Sequence, residues 1–573
     1  MTRYSYGTIC HAELAVRVRG MIDEALHALT GDGTLPRAAL EMGYTVEKPK
    51  DPAHGDLATN IALTLAKPCS RPPRDIAGVL AERLSALAED DDYIEEIEIA
   101  GPGFINFRAG DNYLADVLMG ITRGFSGDGW ARTDNPRKVL VEFVSANPTG
   151  PMLVVNARAA ALGDVYCRLL NMTGHWAASE YYVNDAGGQI LTLGRSLEAR
   201  IRQARGEEFP FPGDGYPGDY LVDLASIYIE EMGDLPSPGE EDLWTHLGDW
   251  AAVKILAEQR RLLGLYGVEF DSWYHESAVR EGAGPEQVIE ILRDRGYLYE
   301  SEEALWLRST AFGDDKDRVL VKSDGSYTYL LPDLAYHMDK FDRGFDRLIN
   351  IWGPDHHGYI ARMRAGLSAL GYPEDNFEVV ISQWVRLMSG GHEVSMSKRG
   401  GTYVTMEELL EEVGRDAARF FFLMRSASSP LDFDLDLAKE QSNENPVYYA
   451  QYAHARISGI LSGAAERGVE VPGPGDMDRQ SLAPLGHATE RALIRRLADF
   501  PGEIVGAAQS LEPHRLAAYV LDVAAHFHSF YTECRVLGDD ARLTRARLHL
   551  CRASARVIAE ILGILGVTAP SQM

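Results

Sequence analysis

Apolar and polar positions follow three different rhythms along the chain. Through Glu13–Leu29 apolar residues return every three or four positions, the period of a helix with one buried face. Ile97–Phe107 reads as a strand, a tight Gly-Pro-Gly turn and a second strand. From about residue 138 to 440, strand-like runs alternate with helical ones, as in Lys138–Val144, Glu180–Val183, Arg347–Trp352 and Glu378–Ser382. That alternation predicts a parallel sheet covered by helices, an α/β unit. From about 441 the strand rhythm stops. Heptad-like spacing through Tyr448–Leu461, Arg491–Ile504, Leu516–Tyr531 and Arg545–Leu565 predicts an all-α bundle. Three units are therefore expected: 1–123; 124–440, with a helical insertion near 195–265; and 441–573. Residues 124–138, rich in Gly, Asp, Arg and Pro, read as a linker.

At 573 residues the chain is long enough for these units, and 45% hydrophobic with 25% charged residues is ordinary for a globular protein. No apolar run reaches the roughly 18–20 residues of a membrane span. The N-terminus lacks the basic and apolar regions of a signal peptide. Five scattered cysteines without a Cys-x-x-Cys pair read as free thiols in a reducing cytoplasm. The net charge of -29 argues against non-specific polyanion binding, but local basic patches still allow a nucleic-acid partner. One such patch is a helical stripe of Arg545, Arg552 and Arg556, with His549 between them.

The most informative stretch is Ser145–Asn156, directly after the apolar run that contains Glu142. A buried strand runs into a Pro/Gly turn and then a small-residue helix over Ala157–Leu170. This geometry receives a nucleotide phosphate at a helix N-terminus. The turn carries no histidine and no charged side chain. Three further segments hold candidate chemistry. In Tyr327–Asp333, Pro332 predicts that a helix begins near Asp333, which can cap it, so that Tyr329 and Asp333 face one pocket. At Ile349–Gly358 a strand ends in a polar turn with Gly353, Asp355 and His356. The pair His356–His357 diverges and has no companion ligands, so no metal site is expected. The Gly-rich segment Glu393–Gly401 carries Met396, Ser397 and Lys398, with a cation suited to developing polyphosphate charge.

Together and in this order, these segments resemble a class I aminoacyl-tRNA synthetase, specifically arginyl-tRNA synthetase. The resemblance extends to Pro52–Asn60 and Gly101–Phe107 near the N-terminus, Tyr181–Gly187, and Ser442–Arg456 with Leu565–Pro570 in the helical unit. It implies a Rossmann-like parallel-sheet catalytic domain, an α+β N-terminal domain and an all-α anticodon-binding bundle. It also implies a reaction: arginine and ATP, with Mg2+, give arginyl-adenylate, and the arginyl group then passes to tRNA(Arg). By position, Glu142, Asn147, Tyr329, Asp333 and Gln383 match the arginine site. Leu153, Val155, Asn156, Gly353, Asp355, His356, Met396, Ser397 and Lys398 match the ATP region, and Lys398, Asn156 and Ser397 its catalytic positions. Phe104 and Asn106 match a segment that reads the tRNA D-loop. Tyr452, Arg456, Arg545 and Arg552 belong to the tRNA-binding bundle. The family is usually monomeric, and a cytoplasmic location follows.

The pattern breaks where ATP would sit. The family's His-x-Gly-His signature reads Leu153-Val154-Val155-Asn156 here, and Lys-Met-Ser-Lys reads Ser395-Met396-Ser397-Lys398. Gly188 stands where a larger polar residue is usual. Loss of one electrostatic contact to a transition state costs roughly 10²–10³-fold. Leu153 has no side-chain donor, and Val155 places a branched side chain where the family's glycine lets adenine approach the backbone. Three readings stay open. One is a homologue that binds arginine and tRNA(Arg) with adenylation impaired or lost. The second is a working ligase with a divergent ATP site. The third is a repurposed enzyme using arginine or arginyl-tRNA in a biosynthetic pathway.

Overall fold

A computed structural model describes residues 4–124, 129–236, 240–281, 283–394 and 404–573. The N-terminal unit is a four-stranded antiparallel sheet, in the order Val46–Glu47, Leu57–Thr59, Phe104–Ala109, Ile94–Ala100. Helices Ile61–Cys69 and Pro73–Ala88 pack against it, and His11–Gly31 packs on Pro73–Ala88. The strand–turn–strand expected over 97–107 is the hairpin at one edge of this sheet. The segment read as a linker contains a strand of its own. Ala131–Thr133 pairs with Tyr4–Tyr6, and the buried Trp130 packs on Phe500 at 4.8 Å. Its Gly and Asp residues concealed two buried side chains in alternation, Ala131 and Thr133.

The middle unit is built on five parallel strands. They are β1 (Lys138–Glu142), β2 (Trp176–Val183), β3 (Ser272–His275), β4 (Arg347–Trp352) and β5 (Phe377–Ile381), in the spatial order β5-β4-β1-β2-β3. Helix α1 (Val154–Met172) crosses from β1 to β2 and is buried along most of its length, which explains its run of alanines. A Cβ at Gly163 would lie 2.1 Å from the Phe143 ring, so only glycine lets α1 approach this closely. Helices α2 (Gly188–Ala204), α3 (Tyr220–Met232) and α4 (Glu240–Leu265) form a side bundle with its own apolar core around Leu193, Leu197 and Leu247. Helix α5 (Leu330–Asp342) packs against a second face of the sheet.

The C-terminal unit is helical. The periodic stretch 491–504 is two helices, Ala488–Ala498 and Phe500–Ser510, because Pro501 starts a new helix in its first turn. The last helix, α6 (Ala541–Ile564), is buried along most of its faces. It packs on Asp111–Arg123 of the N-terminal unit as well as within the bundle. Among the described residues no helix is long and apolar enough to cross a membrane.

Candidate functional site

The chain leaves β1 toward β2 on one side and returns to β4 on the other. In a parallel sheet the crevice at the carboxyl ends of such strands is where ligands bind. Register places Asn350, Glu142 and Glu180 side by side across β4, β1 and β2 at that edge. All three are buried, so each polar group needs a partner. Glu142 Oε2 accepts from the buried Lys340 ammonium and, at 2.9 Å, from Asn350 Nδ2. Ser145 Oγ donates to Oε1 at 3.3 Å. Asn350 Nδ2 also reaches His337 Nε2 at 3.2 Å, and His337 Nδ1 lies 2.8 Å from the Asp333 carbonyl. These bonds define a neutral histidine with its proton on Nδ1. Burial pushes the His337 pKa well down, and the Lys340 charge adds to it. Asn350 Oδ1 is buried without a partner. Glu180 is gripped by Arg343 at 2.7 and 3.0 Å and by the Tyr336 hydroxyl at 2.7 Å. Burial works to raise its pKa, but the Arg343 bonds and the Lys340 charge hold it below the usual carboxylate range.

Asp333 lies inside α5 and does not cap it. The helix begins at Leu330 with Tyr329 as its N-cap. Pro332 falls in the first turn, where the missing N–H is not needed. The Asp333 carboxylate accepts from the Tyr359 hydroxyl. Burial raises its pKa to about 7, against the pull of that bond and with help from the charges of Glu142 and Glu276. Tyr329, four residues earlier, is 86% exposed, so the structure does not bring it into one buried pocket with Asp333. Asn147 is exposed on the turn after β1, and Gln383 is half-buried after β5 with its backbone N–H on the Ala427 carbonyl. Glu142 is paired with Lys340 and Glu180 with Arg343, whereas Asp333 takes the neutral Tyr359 hydroxyl. A carboxylate so placed suits a cationic ligand, above all a planar one with several donors.

The turn itself is strained. Val144 has φ 66° and Ser145 φ 40°, in the left-handed region that a β-branched residue rarely enters. At its far end Leu153, Val155 and Asn156 are half-buried. Asn156 Oδ1 accepts from the Leu153 backbone N–H at 2.8 Å, so the start of α1 is closed by its own side chain. Met406 N–H donates to the Met152 carbonyl at 2.8 Å, and Leu153 bridges to Thr405. The chain just beyond the Gly-rich segment, at Thr405 and Met406, thus lies against this turn, whereas Ser395, Met396, Ser397, Lys398 and Arg399 lie outside the described residues. Gly353, Asp355 and His356 sit exposed where β4 ends in a short turn. A Cβ at Gly188 would meet nothing within 4 Å. Among the described residues no group of three or more His, Cys, Asp or Glu is placed to hold a metal ion.

Away from this crevice, Phe104 is 39% exposed, while Asn106 is buried with its Nδ2 unpartnered. Arg456 lies over the rings of Tyr452 and Tyr531 at 4.7 and 5.1 Å, and Tyr448 stacks on Tyr452. The arginine stripe of α6 faces protein more than solvent. Arg552 donates to the Pro472 carbonyl, Arg556 to the Thr122 carbonyl at 3.3 Å, and the fully buried His549 meets Thr122 Oγ1 at 3.0 Å. Arg545 is half-buried, its side chain 42% exposed and 3.8 Å from Glu470. Sequence reasoning missed Glu276, Lys340 and Asn350. The signal for Glu276 and Asn350 was position, since both stand at the carboxyl ends of strands. Lys340 gave none, because a lysine in an amphipathic helix normally faces water.

Family models match three stretches: an arginyl tRNA synthetase N-terminal domain at 17–109, a class I (R) tRNA synthetase catalytic domain at 270–427 and a DALR anticodon binding domain at 450–573. The arginine–tRNA ligase of Desulforudis audaxviator is 48% identical over 566 residues, covering 98% of this chain and 100% of that protein. That of Symbiobacterium thermophilum is 45% identical over 561 residues, covering 98% and 99%. The structure of Thermus thermophilus arginyl-tRNA synthetase superposes with a TM-score of 0.74 at 23% identity, over 98% of this chain and 100% of that one.

Proposed function

The chain belongs to the arginyl-tRNA synthetase family and has the class I synthetase fold, with an N-terminal domain, a parallel-sheet catalytic domain and a helical DALR domain. On that footing we propose that it binds arginine and tRNA(Arg) but forms arginyl-adenylate at a rate at least 100-fold below an ordinary synthetase. The units divide as 1–123, 124–440 and 441–573. The observation that carries the proposal is the contrast within one turn. Glu142 is fixed at the crevice edge by Lys340, Asn350 and Ser145, while Asn156 Oδ1 closes the Leu153 N–H. Leu153 and Val155 add no donor.

In this reading Asp333 and Glu276 take the guanidinium, Glu142, Asn147 and Gln383 take the amino and carboxylate groups, and the exposed Tyr329 flanks the crevice from the start of α5. A guanidinium with five donors in a plane needs carboxylate acceptors, and ionised Asp333 supplies one. Phe104, Tyr452, Arg456 and Arg545 contact tRNA, by stacking and by charge, and the buried Asn106 offers its unpartnered Nδ2 as a donor. Arg552 stays with the Pro472 carbonyl. ATP, where it binds, brings Mg2+ and a phosphoryl electrophile. Gly353, Asp355 and His356 line its side of the crevice, and Lys398, with Met396 and Ser397 beside it in sequence, supplies a cation suited to the phosphates. The family's two histidines would stabilise charge on the phosphate oxygens as pyrophosphate leaves; Leu153 cannot, and Asn156 offers only a neutral amide donor. A second reading, a working ligase with a divergent ATP site, rests on Lys398 and on the Asn156 amide, which can still donate. Arginine-dependent ATP–pyrophosphate exchange with tRNA(Arg) present separates the two readings. Exchange below about one-hundredth of a few turnovers per second supports the first, and turnover at that level supports the second.

A further inference from the structure

The strained turn after β1 is held by the helical insertion. Gln259, a buried residue of α4, donates through Nε2 to the carbonyls of Asn147 at 3.2 Å and Gly150 at 3.1 Å. The buried Tyr181 hydroxyl donates to the Ala146 carbonyl at 2.9 Å and stands 2.9 Å from Gln259 Oε1. Tyr220, at the start of α3, donates to the Thr149 carbonyl. Side chains thus hold four of the five carbonyls from Ala146 to Gly150, and two of those side chains come from the insertion.

Left-handed backbone at a β-branched residue persists only where its surroundings over-determine it. The Ser145 Oγ bonds to Glu142 and the Tyr182 N–H, at 3.3 and 3.1 Å, fix one end of the turn. Nothing in the turn's own sequence fixes the other end, because an Ala-Asn-Pro-Thr-Gly run has several turn conformations open to it. The insertion has its own apolar core, so it is a rigid body against which the turn can be set.

We infer that Gln259 is a positioning residue: the α4 amide, with Tyr220, holds the Asn147 turn in its arginine-competent shape and makes the helical insertion part of amino-acid recognition. This rests on the arginine reading above. It gives an insertion remote in sequence a defined task, and it makes arginine affinity sensitive to anything that shifts α4 against β1.

Two readouts on the full chain test it. In the absence of ligand, amide hydrogen exchange across residues 145–153 should speed up at least tenfold in Gln259→Leu. It should not change in Tyr228→Phe, which alters the insertion's own interior and leaves the clamp alone. In calorimetry, Gln259→Leu should weaken arginine binding at least tenfold, Tyr220→Phe by a few-fold and Tyr228→Phe not at all. Affinity for tRNA(Arg) should stay within twofold in all three. Unchanged exchange in Gln259→Leu overturns the inference, as does arginine affinity within twofold of the unaltered chain. If exchange responds but the unaltered chain takes up no arginine, the clamp stands and the arginine reading fails.

Discussion

Arginine affinity should depend on pH through Asp333. Its carboxyl is pushed from 3.8 up to about 7 by burial and by the neighbouring charges of Glu142 and Glu276. A guanidinium requires the ionised form. Around a pKa of 7 the ionised fraction rises from roughly one-tenth at pH 6 to nine-tenths at pH 8, so the Kd should fall about tenfold across that interval. Binding at pH 7 should release roughly half a proton, seen in calorimetry as a heat that changes with the ionisation enthalpy of the buffer. Stability moves in the opposite sense. A carboxyl whose pKa is raised on folding favours the folded chain at low pH, and that contribution is lost as pH rises through about 7. Added arginine should therefore raise the unfolding midpoint more at pH 8 than at pH 6. Asp333→Asn should abolish the buffer-dependent heat and weaken binding roughly 10–100-fold at pH 8, the range for a lost charge-assisted bond. A Kd constant from pH 6 to 8, with no buffer-dependent heat, refutes the reasoning.

Restoring the signature with Leu153→His, Val155→Gly and Asn156→His should raise pyrophosphate exchange by roughly 10² or more, since each restored contact counts at the transition state. No gain would move the defect to Ser395 or Gly188. Lys340→Met should leave Glu142 buried and unpaired and lower stability by roughly 3–5 kcal/mol, read as a lower denaturant midpoint. Phe104→Ala should weaken tRNA(Arg) binding by the roughly 1–3 kcal/mol of a lost base stack, with arginine affinity unchanged in calorimetry. Arg456→Ala should weaken tRNA binding and flatten its salt dependence, whereas Arg552→Ala should destabilise the chain and leave that dependence alone.

What was legible in the sequence was whatever a short window specifies. Val139–Val144, the Pro/Gly turn and the alanine-rich helix announce β1, the crevice edge and α1, because burial on both sides leaves a continuous apolar run. The helical bundle was equally plain, save that Pro501 divides one periodic stretch into two helices. What stayed hidden depends on residues brought from far along the chain. The stripe of Arg545, Arg552 and Arg556 has the same spacing whether it faces water or a neighbouring domain, and only the packing of α6 on Asp111–Arg123 decides it. Lys340 and Gln259 look like solvated helix positions until β1 supplies the carboxylate of one and the turn after β1 the carbonyls of the other. Pro332 misled about the start of α5 because the first helical turn tolerates proline.

The proposed function is that of a chain that holds arginine without activating it. The most direct test measures both on one preparation with tRNA(Arg) present: arginine binding by calorimetry and arginine-dependent ATP–pyrophosphate exchange. Such a chain should show saturable arginine binding with exchange at least 100-fold below a few turnovers per second. Exchange within tenfold of that rate would contradict it.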